Sequence, residues 1–267
     1  MITPISNKNY PQFKANLKSP TLKLSSKDFF IKLPNYDANE KWAEEIIRTT
    51  DFAVDYIRGH FDGESVLQTI TGGVLAANMI PMDIDKRLRT GYMRTERSGW
   101  QGSEEGREVL TFYDNERYGK YRERFDAICK KPLKKINDCL AMSIPNNKRD
   151  IEHGQSFLIN NSLDYIFKLY RDKYSKFLKK DVKEEDLPEI IDVVAEIRWV
   201  LAHATPWLRG SDAISNVFMR AMFKAVGVKA YPPADGISYD LEAYCRDLDD
   251  YKTNFNSFFE KPLEIAE

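Results

Sequence analysis

One stretch of the chain decides the fold: DLPEIIDVVAEIRWVLAHATPWLRGSDAISNVFMRAMFKAVG, residues 186–227. Its first half carries apolar residues at helical spacing on more than one face, which predicts a helix buried on most sides. Asp186 and Glu189 form a capping-box pattern, and Pro188 in the first turn is typical of a helix start. We expect this helix, which ends at His203, to lie at the centre of the molecule.

The second half of the stretch predicts a shorter helix with a buried apolar face. Ser211 is a preferred N-cap residue, and Asp212 stands where the positive end of the helix dipole favours a carboxylate. Gly227 follows the last apolar turn, as a left-handed glycine at a helix C-terminus does. The two predicted helices are therefore joined by a short loop that contains Arg209.

Arg209 has two interpretations. The N–H groups at the start of a helix, beside a guanidinium, suit a bound phosphate, and Gly210 and Ser211 would then belong to the same anion site. Alternatively, the arginine closes the corner between the two helices by bonding backbone carbonyls. The residues alone leave both interpretations open.

The layout of these two helices and their loop resembles that of Fic-type proteins of the Fido superfamily. Aligned on Pro206, Thr205 stands where the Fic histidine belongs, and Ala213 stands where the phosphate-binding arginine belongs. From about residue 150 to residue 258 the chain resembles more closely the avirulence protein B (AvrB) family of bacterial type III effectors, a divergent Fido branch. The matching positions are Trp199, Pro206, Arg209, Gly210, Ser211, Ala213, Arg220, Ala221, Gly227, Pro232, Gly236, Asp240, Leu241, Glu242 and Ala243.

The AvrB resemblance implies a glycosyltransferase that moves a deoxysugar, rhamnose, from a nucleotide-diphosphate sugar to a hydroxyl side chain of a host protein. It implies that Asp240 is the pocket acid and that His153 lines the nucleotide pocket, and with Arg209 these two make the predicted catalytic set. The predicted nucleotide- or substrate-binding residues are Arg209, Gly210, Ser211, Trp207, Thr205 and His203.

Several of these residues also have a purely structural interpretation. Asp240 is a good N-cap for the last predicted helix, and Trp207 is as typical of a core as of a base-stacking site. His203 has no counterpart in the family, so we expect only a supporting role for it. His153 would count as a surface histidine without the resemblance.

Two other functions remain open. Fic-type transfer of a nucleotide (AMP) to a protein requires a base where Thr205 stands, and threonine is not one at neutral pH. A non-catalytic adaptor would bind a host protein through the same cleft. No cofactor is expected beyond the nucleotide sugar as co-substrate, and no metal, because the Asp-x-Asp strings at 83–85 and 247–249 favour a solvated surface and a helix.

Composition limits the remaining classes. A net charge of −1 over 267 residues favours neither nucleic acid nor membrane as a partner, and no apolar run is long enough for integral membrane association. Cys129, Cys139 and Cys245 are expected in the core of a protein that works in a reducing compartment. Because Ile2 stands where myristoylation needs glycine, we expect an effector secreted by bacteria into the host cytoplasm without that anchor.

The predicted fold is mainly α, a Fido-like helical bundle with a small β-hairpin. A flexible segment covers residues 1–35, and the AvrB-like domain covers 36–267, with an N-terminal lobe at 36–150 and a core at 151–260. Further helices are predicted at 37–58, 115–142, 156–178 and 240–259, and Pro132 is expected to break or kink the second of them. Residues 65–80 are typical of a helix or a strand pair, in which Gly72-Gly73 favour a break, and a strand is predicted at 107–113. The charged stretch 82–97, which includes Arg94, favours a solvated face over a partner-docking patch.

Overall fold

A computed structural model of the chain describes residues 22–29, 40–79, 90–94, 107–109, 119–147 and 150–266. Within these ranges the chain is mainly helical, as predicted, with eight α-helices and five short strands. None of the helices described is both long and apolar enough to cross a membrane.

The described helices are α1 (Glu40–Arg58), α2 (Gly63–Asn78), α3 (Gly119–Lys130), α4 (Ile159–Leu169), α5 (Leu187–Ala204), α6 (Ser211–Ala225), α7 (Tyr239–Tyr244) and α8 (Leu248–Asn254). The strands are β1 (Arg107–Val109), β2 (Ile144–Pro145), β3 (Asp150–Glu152), β4 (Val228–Lys229) and β5 (Glu264–Ile265).

Helix α5 lies at the centre of the molecule, as its apolar pattern predicts. It packs against α4, α6, α7 and α8, and every side chain from Val193 to Ala204 is buried. The predicted capping box is wrong, because the Asp186 carboxylate accepts bonds from the backbone of Lys183 at 3.0 Å and from the side chain of Lys180. That carboxylate stabilises the turn before the helix and makes no cap bond to α5.

Helix α2 runs unbroken through Gly72 and Gly73, so the break predicted there is wrong. Glycine at position 73 allows the close packing of α2 against α1, because a Cβ added to Gly73 would stand 2.3 Å from the Thr49 side chain. Helices α1 and α2 also pack on α6 and share one hydrophobic core with α5. The division predicted between a lobe at 36–150 and a core at 151–260 stays a prediction.

Helix α3 ends at Lys130, so the helix predicted to Met142 is too long by about three turns. Pro132 follows this end, and it lacks the N–H needed to continue the helix. Cys129 and Cys139 are exposed, which corrects their predicted place in the core. Arg124 fastens α3 to α7 through two bonds of 2.9 and 3.0 Å to the buried carboxylate of Glu242.

The small antiparallel β structure that the sequence predicts is confirmed, and around β1 it is a sheet of three strands. Its order is β1-β3-β2, and the central strand pairs Glu152 with both Arg107 and Ile144. The predicted strand at 107–113 is described only as far as residue 109. A second pair, β4 with β5, lies at the C-terminal end of the chain.

The single helix predicted at 240–259 is interrupted. Helix α7 ends at Tyr244, the chain is extended at Asp247, and α8 continues into a short 3-10 turn at Phe255–Phe258. The helix predicted at 156–178 is confirmed as α4 with a 3-10 turn before it and a π and a 3-10 turn after it. Phe157, in the first turn, is 59% exposed and not inward as its spacing predicts.

Part of the predicted flexible segment 1–35 is packed on α6. The Asp28 carboxylate lies 3.0 Å from the buried guanidinium of Arg220, and the ring of Phe29 lies 5.6 Å from the same group. Both Asp28 and Phe29 are buried. Residues 22–29 therefore belong to the folded body.

Candidate functional site

The loop 205–210 joins α5 to α6 through two left-handed residues. Thr205 ends α5 with φ 42°, and Gly210 begins α6 with φ 85°. Ser211 is thus the first residue of the helix and not its N-cap, and its hydroxyl bonds the N–H and the C=O of Trp207 at 3.1 and 3.0 Å. These bonds make the loop a compact turn, and through them the serine hydroxyl is already hydrogen-bonded within the loop.

A short segment, the strap 90–94, holds this loop from outside. The Arg209 C=O accepts a bond from Gly91 N at 3.2 Å, and the Pro206 C=O accepts one from Arg94 N at 2.8 Å. In the other direction, Leu208 N donates to the strap at 2.9 Å. The backbone of the loop is therefore fixed on both sides, although its sequence suggests a simple turn.

The side chain of Arg94 closes the corner between the two helices. Its Nε and Nη2 donate to the carbonyls of Thr205 and Ala204, each at 3.0 Å. It is 2% exposed, and burial lowers its pKa to about 10. The predicted solvated face is wrong for this residue, and residues 82–89 and 95–97 of the charged stretch lie outside the described residues.

The side chain of Arg209 is exposed at the start of α6. The carbonyl-bonding role that the sequence left open for it belongs to Arg94. Ser211, Asp212 and Ala213, which form the first turn of α6, are partly exposed. The N–H groups of a first turn lack partners within their own helix, so an anion can approach them beside the Arg209 guanidinium.

Three predicted site residues, His153, His203 and Thr205, meet at the buried hydroxyl of Ser143. This hydroxyl donates to the C=O of His203 at 2.7 Å and lies 2.9 Å from Thr205 Oγ1 and 3.5 Å from His153 Nδ1. Gly154 N donates to the same oxygen at 3.1 Å. Ser143 therefore ties the end of β3 to the end of α5.

Both histidines of this cluster are neutral at pH 7. Burial lowers the pKa of His203 to about 4, although the carbonyls of Ser143 and Ala243, 2.6 and 3.2 Å from its ring nitrogens, oppose the shift. Burial and the charge of Arg94 lower the pKa of His153 to about 3. His203 is 1% exposed and holds α5 against α7, which matches the supporting role expected for it.

The two tryptophans near the loop are core residues in this structure. Trp207 is 5% exposed, so of its two interpretations the packing supports the core. Trp199 is 3% exposed and donates its indole N–H to the C=O of Arg246 at 3.0 Å.

Asp240 is the second residue of α7 and is partly exposed. The N-cap position belongs to Ser238, which corrects the capping interpretation of the aspartate. Oδ1 of Asp240 accepts bonds from the Ser238 hydroxyl and from Leu241 N at 2.9 Å. Both hydrogen bonds end on the same oxygen, so the orientation of the carboxylate is fixed. The other oxygen, Oδ2, has no hydrogen-bond partner among the described residues.

Asp212 lies beside Asp240 and shares a buried cation with it. The guanidinium of Arg198, in α5, donates from Nη2 to the Asp212 carboxylate, and the charge of Asp240 acts on both groups. Burial, followed by the repulsion from Asp240, raises the pKa of Asp212 to about 7. The starts of α6 and α7 thus present two neighbouring carboxylates, and the proton affinity of the first, Asp212, is raised above that of a free aspartate.

No group of three or more metal-ligating side chains occurs among the residues that the structure describes. Asp247, from one Asp-x-Asp string, precedes α8 and accepts a bond from Lys134 N at 2.5 Å. The other string, 83–85, lies outside the described ranges. The expected independence from metal stays a prediction.

A cavity of about 640 Å³ lies away from these residues, between residues 22–24, the end of α6 and the β4-β5 pair. Its lining includes Arg220, Lys224, Lys229 and Glu264, and none of the predicted site residues.

A family model of avirulence proteins, AvrB/AvrC, matches residues 111–262, more than half of the chain. The chain belongs to this family. No curated protein matches the sequence. The AvrB/AvrC match includes every predicted site residue, from His153 to Asp240, whereas the strap 90–94 lies before it.

In this AvrB/AvrC protein the predicted residues form two groups. Arg209, Gly210, Ser211 and Asp240 lie at the accessible starts of α6 and α7, and His153, His203, Thr205 and Trp207 are buried. Sequence reasoning missed Arg94, Ser143, Arg198 and Asp212 as parts of the arrangement. Arg198 carried a signal, because a charged residue within an otherwise apolar turn of a central helix requires a specific partner.

Proposed function

We propose that this AvrB-like effector transfers a deoxysugar, rhamnose, from a nucleotide-diphosphate sugar to a hydroxyl side chain of a host protein. The observation that carries the proposal is the partly exposed carboxylate of Asp240, fixed through one oxygen beside the accessible start of α6. Family membership supports the same chemistry, and delivery into the host cytoplasm follows as part of the proposal.

Asp240 acts as the general base in this reaction. Its Oδ1 is occupied by Ser238 and Leu241, so Oδ2 is the oxygen that accepts the proton of the acceptor hydroxyl. The acceptor oxygen forms a bond to the anomeric carbon of the sugar as the bond from that carbon to the diphosphate oxygen breaks. The nucleoside diphosphate leaves with the bonding electron pair.

Arg209 and the first turn of α6 stabilise the departing diphosphate. A guanidinium and oriented N–H groups at a helix start favour a developing negative charge. The carboxylate of Asp212 would oppose this role, but its bond to Arg198 and its raised pKa reduce its negative charge near neutral pH. The loop that carries Arg209 is fixed by the strap 90–94 before any ligand binds.

His153 is a poorer base than Asp240. It is 8% exposed, and a pKa of about 3 makes it a weak proton acceptor. The hydroxyl of Thr205 is bonded to the C=O of Ala202 at 3.0 Å and to Ser143, so it is not placed as a base for Fic-type nucleotide transfer. A non-catalytic adaptor would bind a host protein through the same cleft without a nucleotide-sugar donor.

Calorimetry with a nucleoside diphosphate tests the donor site. We expect Arg209→Ala to lose about 1.5–3 kcal/mol of binding free energy, the contribution of a charge-assisted contact. Arg48→Ala is the matched control, since Arg48 is an exposed arginine of α1 paired with Glu45. Equal affinities of wild type and Arg209→Ala would remove the diphosphate site from the proposal.

Release of nucleoside diphosphate from a rhamnose donor tests the reaction itself. In chromatographic assays the wild type should release it with a hydroxyl-bearing acceptor protein present, and Asp240→Asn should not. Binding of the diphosphate without release from any sugar donor would favour the adaptor.

A further inference from the structure

The buried guanidinium of Arg198 is incompletely bonded. The residue is 1% exposed, and its Nη2 donates to Asp212. In the described part of the chain, its Nε and Nη1 have no hydrogen-bond partner. A buried cation whose N–H groups lack hydrogen-bond partners destabilises a fold. We therefore expect the charge of Arg198 to have an electrostatic role that offsets this cost.

The groups around Arg198 come from three helices. Asp212 approaches from the start of α6 and Asp240 from the start of α7, and the ring of Tyr239 lies 5.9 Å from the guanidinium. The hydroxyls of Tyr244 and Tyr251, from α7 and α8, complete the surroundings. Burial raises the pKa values of Tyr239 and Tyr251, so both phenols are neutral and the two aspartates supply the negative charge near the guanidinium.

Two neighbouring carboxylates repel each other unless a cation or a shared proton lies between them. The starts of α6 and α7 bring one carboxylate each, and Arg198 is the cation that contacts the first and acts on the second. Lysine would not substitute equally, because a planar guanidinium spreads its charge and presents several donors at fixed angles.

We propose that Arg198 is the positioning residue of the transfer site, and that Arg198, Asp212 and Asp240 form one electrostatic unit. This inference rests on the proposed function of Asp240 as the base. Arg198 holds Asp212 at the start of α6 and places its positive charge near the carboxylate of Asp240 at the start of α7.

A titration of the full chain by ¹³C NMR of labelled aspartate carboxyls tests this unit without donor or acceptor. The resonances that disappear in Asp212→Asn and Asp240→Asn assign the pair. In the wild type we expect two linked steps between about pH 3 and pH 9. In Arg198→Gln the upper step should move up by about one pH unit or more, since an opposite charge lowers a neighbouring carboxyl by that amount.

Superimposable titration curves of wild type and folded Arg198→Gln would overturn the inference. If Arg198→Gln does not fold, Asp212→Asn replaces it, and an Asp240 titration unchanged by that substitution overturns the inference equally. A linked titration together with absent sugar transfer would instead overturn the proposed function and leave the electrostatic unit in place.

Discussion

The guanidinium of Arg198 donates to the carboxylate of Asp212, and this contact joins the buried centre of α5 to the accessible start of α6. Because α5 is buried from Val193 to Ala204, the positive charge that acts on the candidate site comes from inside the core. The same arrangement brings Asp240 into range from α7.

Two adjacent glycines of α2 should respond oppositely to alanine. A Cβ at Gly72 meets nothing within 4 Å, so Gly72→Ala should stabilise the fold by about 0.5–1 kcal/mol through helix propensity. A Cβ at Gly73 would stand 2.3 Å from Thr49, so Gly73→Ala should destabilise it by about 1–3 kcal/mol. Urea unfolding measures both, and equal effects would contradict the close packing of α1 on α2.

Arg94 should stabilise the fold through its two carbonyl bonds. Arg94→Met keeps most of the apolar stem and leaves the carbonyls of Ala204 and Thr205 without these donors, so we expect a loss of about 1–3 kcal/mol in the free energy of unfolding. Arg48→Met, at an exposed arginine, should change it by less than about 0.5 kcal/mol. A similarly small change for Arg94→Met would show that the corner does not depend on its side chain.

The buried Glu242 should be sensitive to loss of charge. Its carboxylate accepts bonds from Arg124, Tyr121 and Arg246, so Glu242→Gln removes the charge with which the part-buried Arg124 is paired and should destabilise the protein by about 3–5 kcal/mol. Glu264→Gln, at a half-exposed ion pair, should cost about 1 kcal/mol or less. Thermal unfolding of the two variants tests the contrast, and equal midpoints would exclude a structural role for the Glu242 cluster.

Stability should fall on acidification because His203 and His153 are buried in the neutral form. Their pKa values, about 4 and 3, lie below the ordinary value of about 6.5, so the unfolded chain binds protons that the folded chain does not. The contribution is complete above about pH 6.5 and decreases by about 3 kcal/mol for each residue on going to about pH 4.

Urea unfolding at about pH 7 and about pH 4.5, on either side of the ordinary histidine pKa, measures this difference. It should be smaller in His203→Gln by roughly one histidine's share and unchanged in His60→Asn, since His60 is exposed and has φ 60°, which asparagine tolerates. An unaltered difference in His203→Gln would mean that His203 does not titrate as described.

The sequence predicts the central elements well, because their pattern is determined by burial. The apolar spacing of α5 and α6 and the glycine at 227 each correspond to what the structure contains. Predictions from local sequence failed where contact with a residue far away in the sequence determines the structure. Gly73 lies inside a helix, and the closeness of Thr49 explains why this position is a glycine.

The candidate site shows the same limit. The resemblance places Asp240 and Arg209 on accessible helix starts, which spacing alone does not establish. Arg94, more than a hundred residues before the loop that it holds, appears in the sequence only as one of several charges. The ion pair between Arg198 and Asp212 depends on how α5 and α6 cross, so no local sequence pattern predicts it.

Intact-mass analysis tests the central claim most directly. The protein is incubated with host lysate and a rhamnose nucleotide-diphosphate donor, and modified host proteins are compared between wild type and Asp240→Ala. We predict a deoxyhexose increment on a host protein that disappears in Asp240→Ala. A nucleoside-monophosphate increment from a nucleoside triphosphate, or no increment from any donor while a host protein stays bound, would contradict glycosyl transfer.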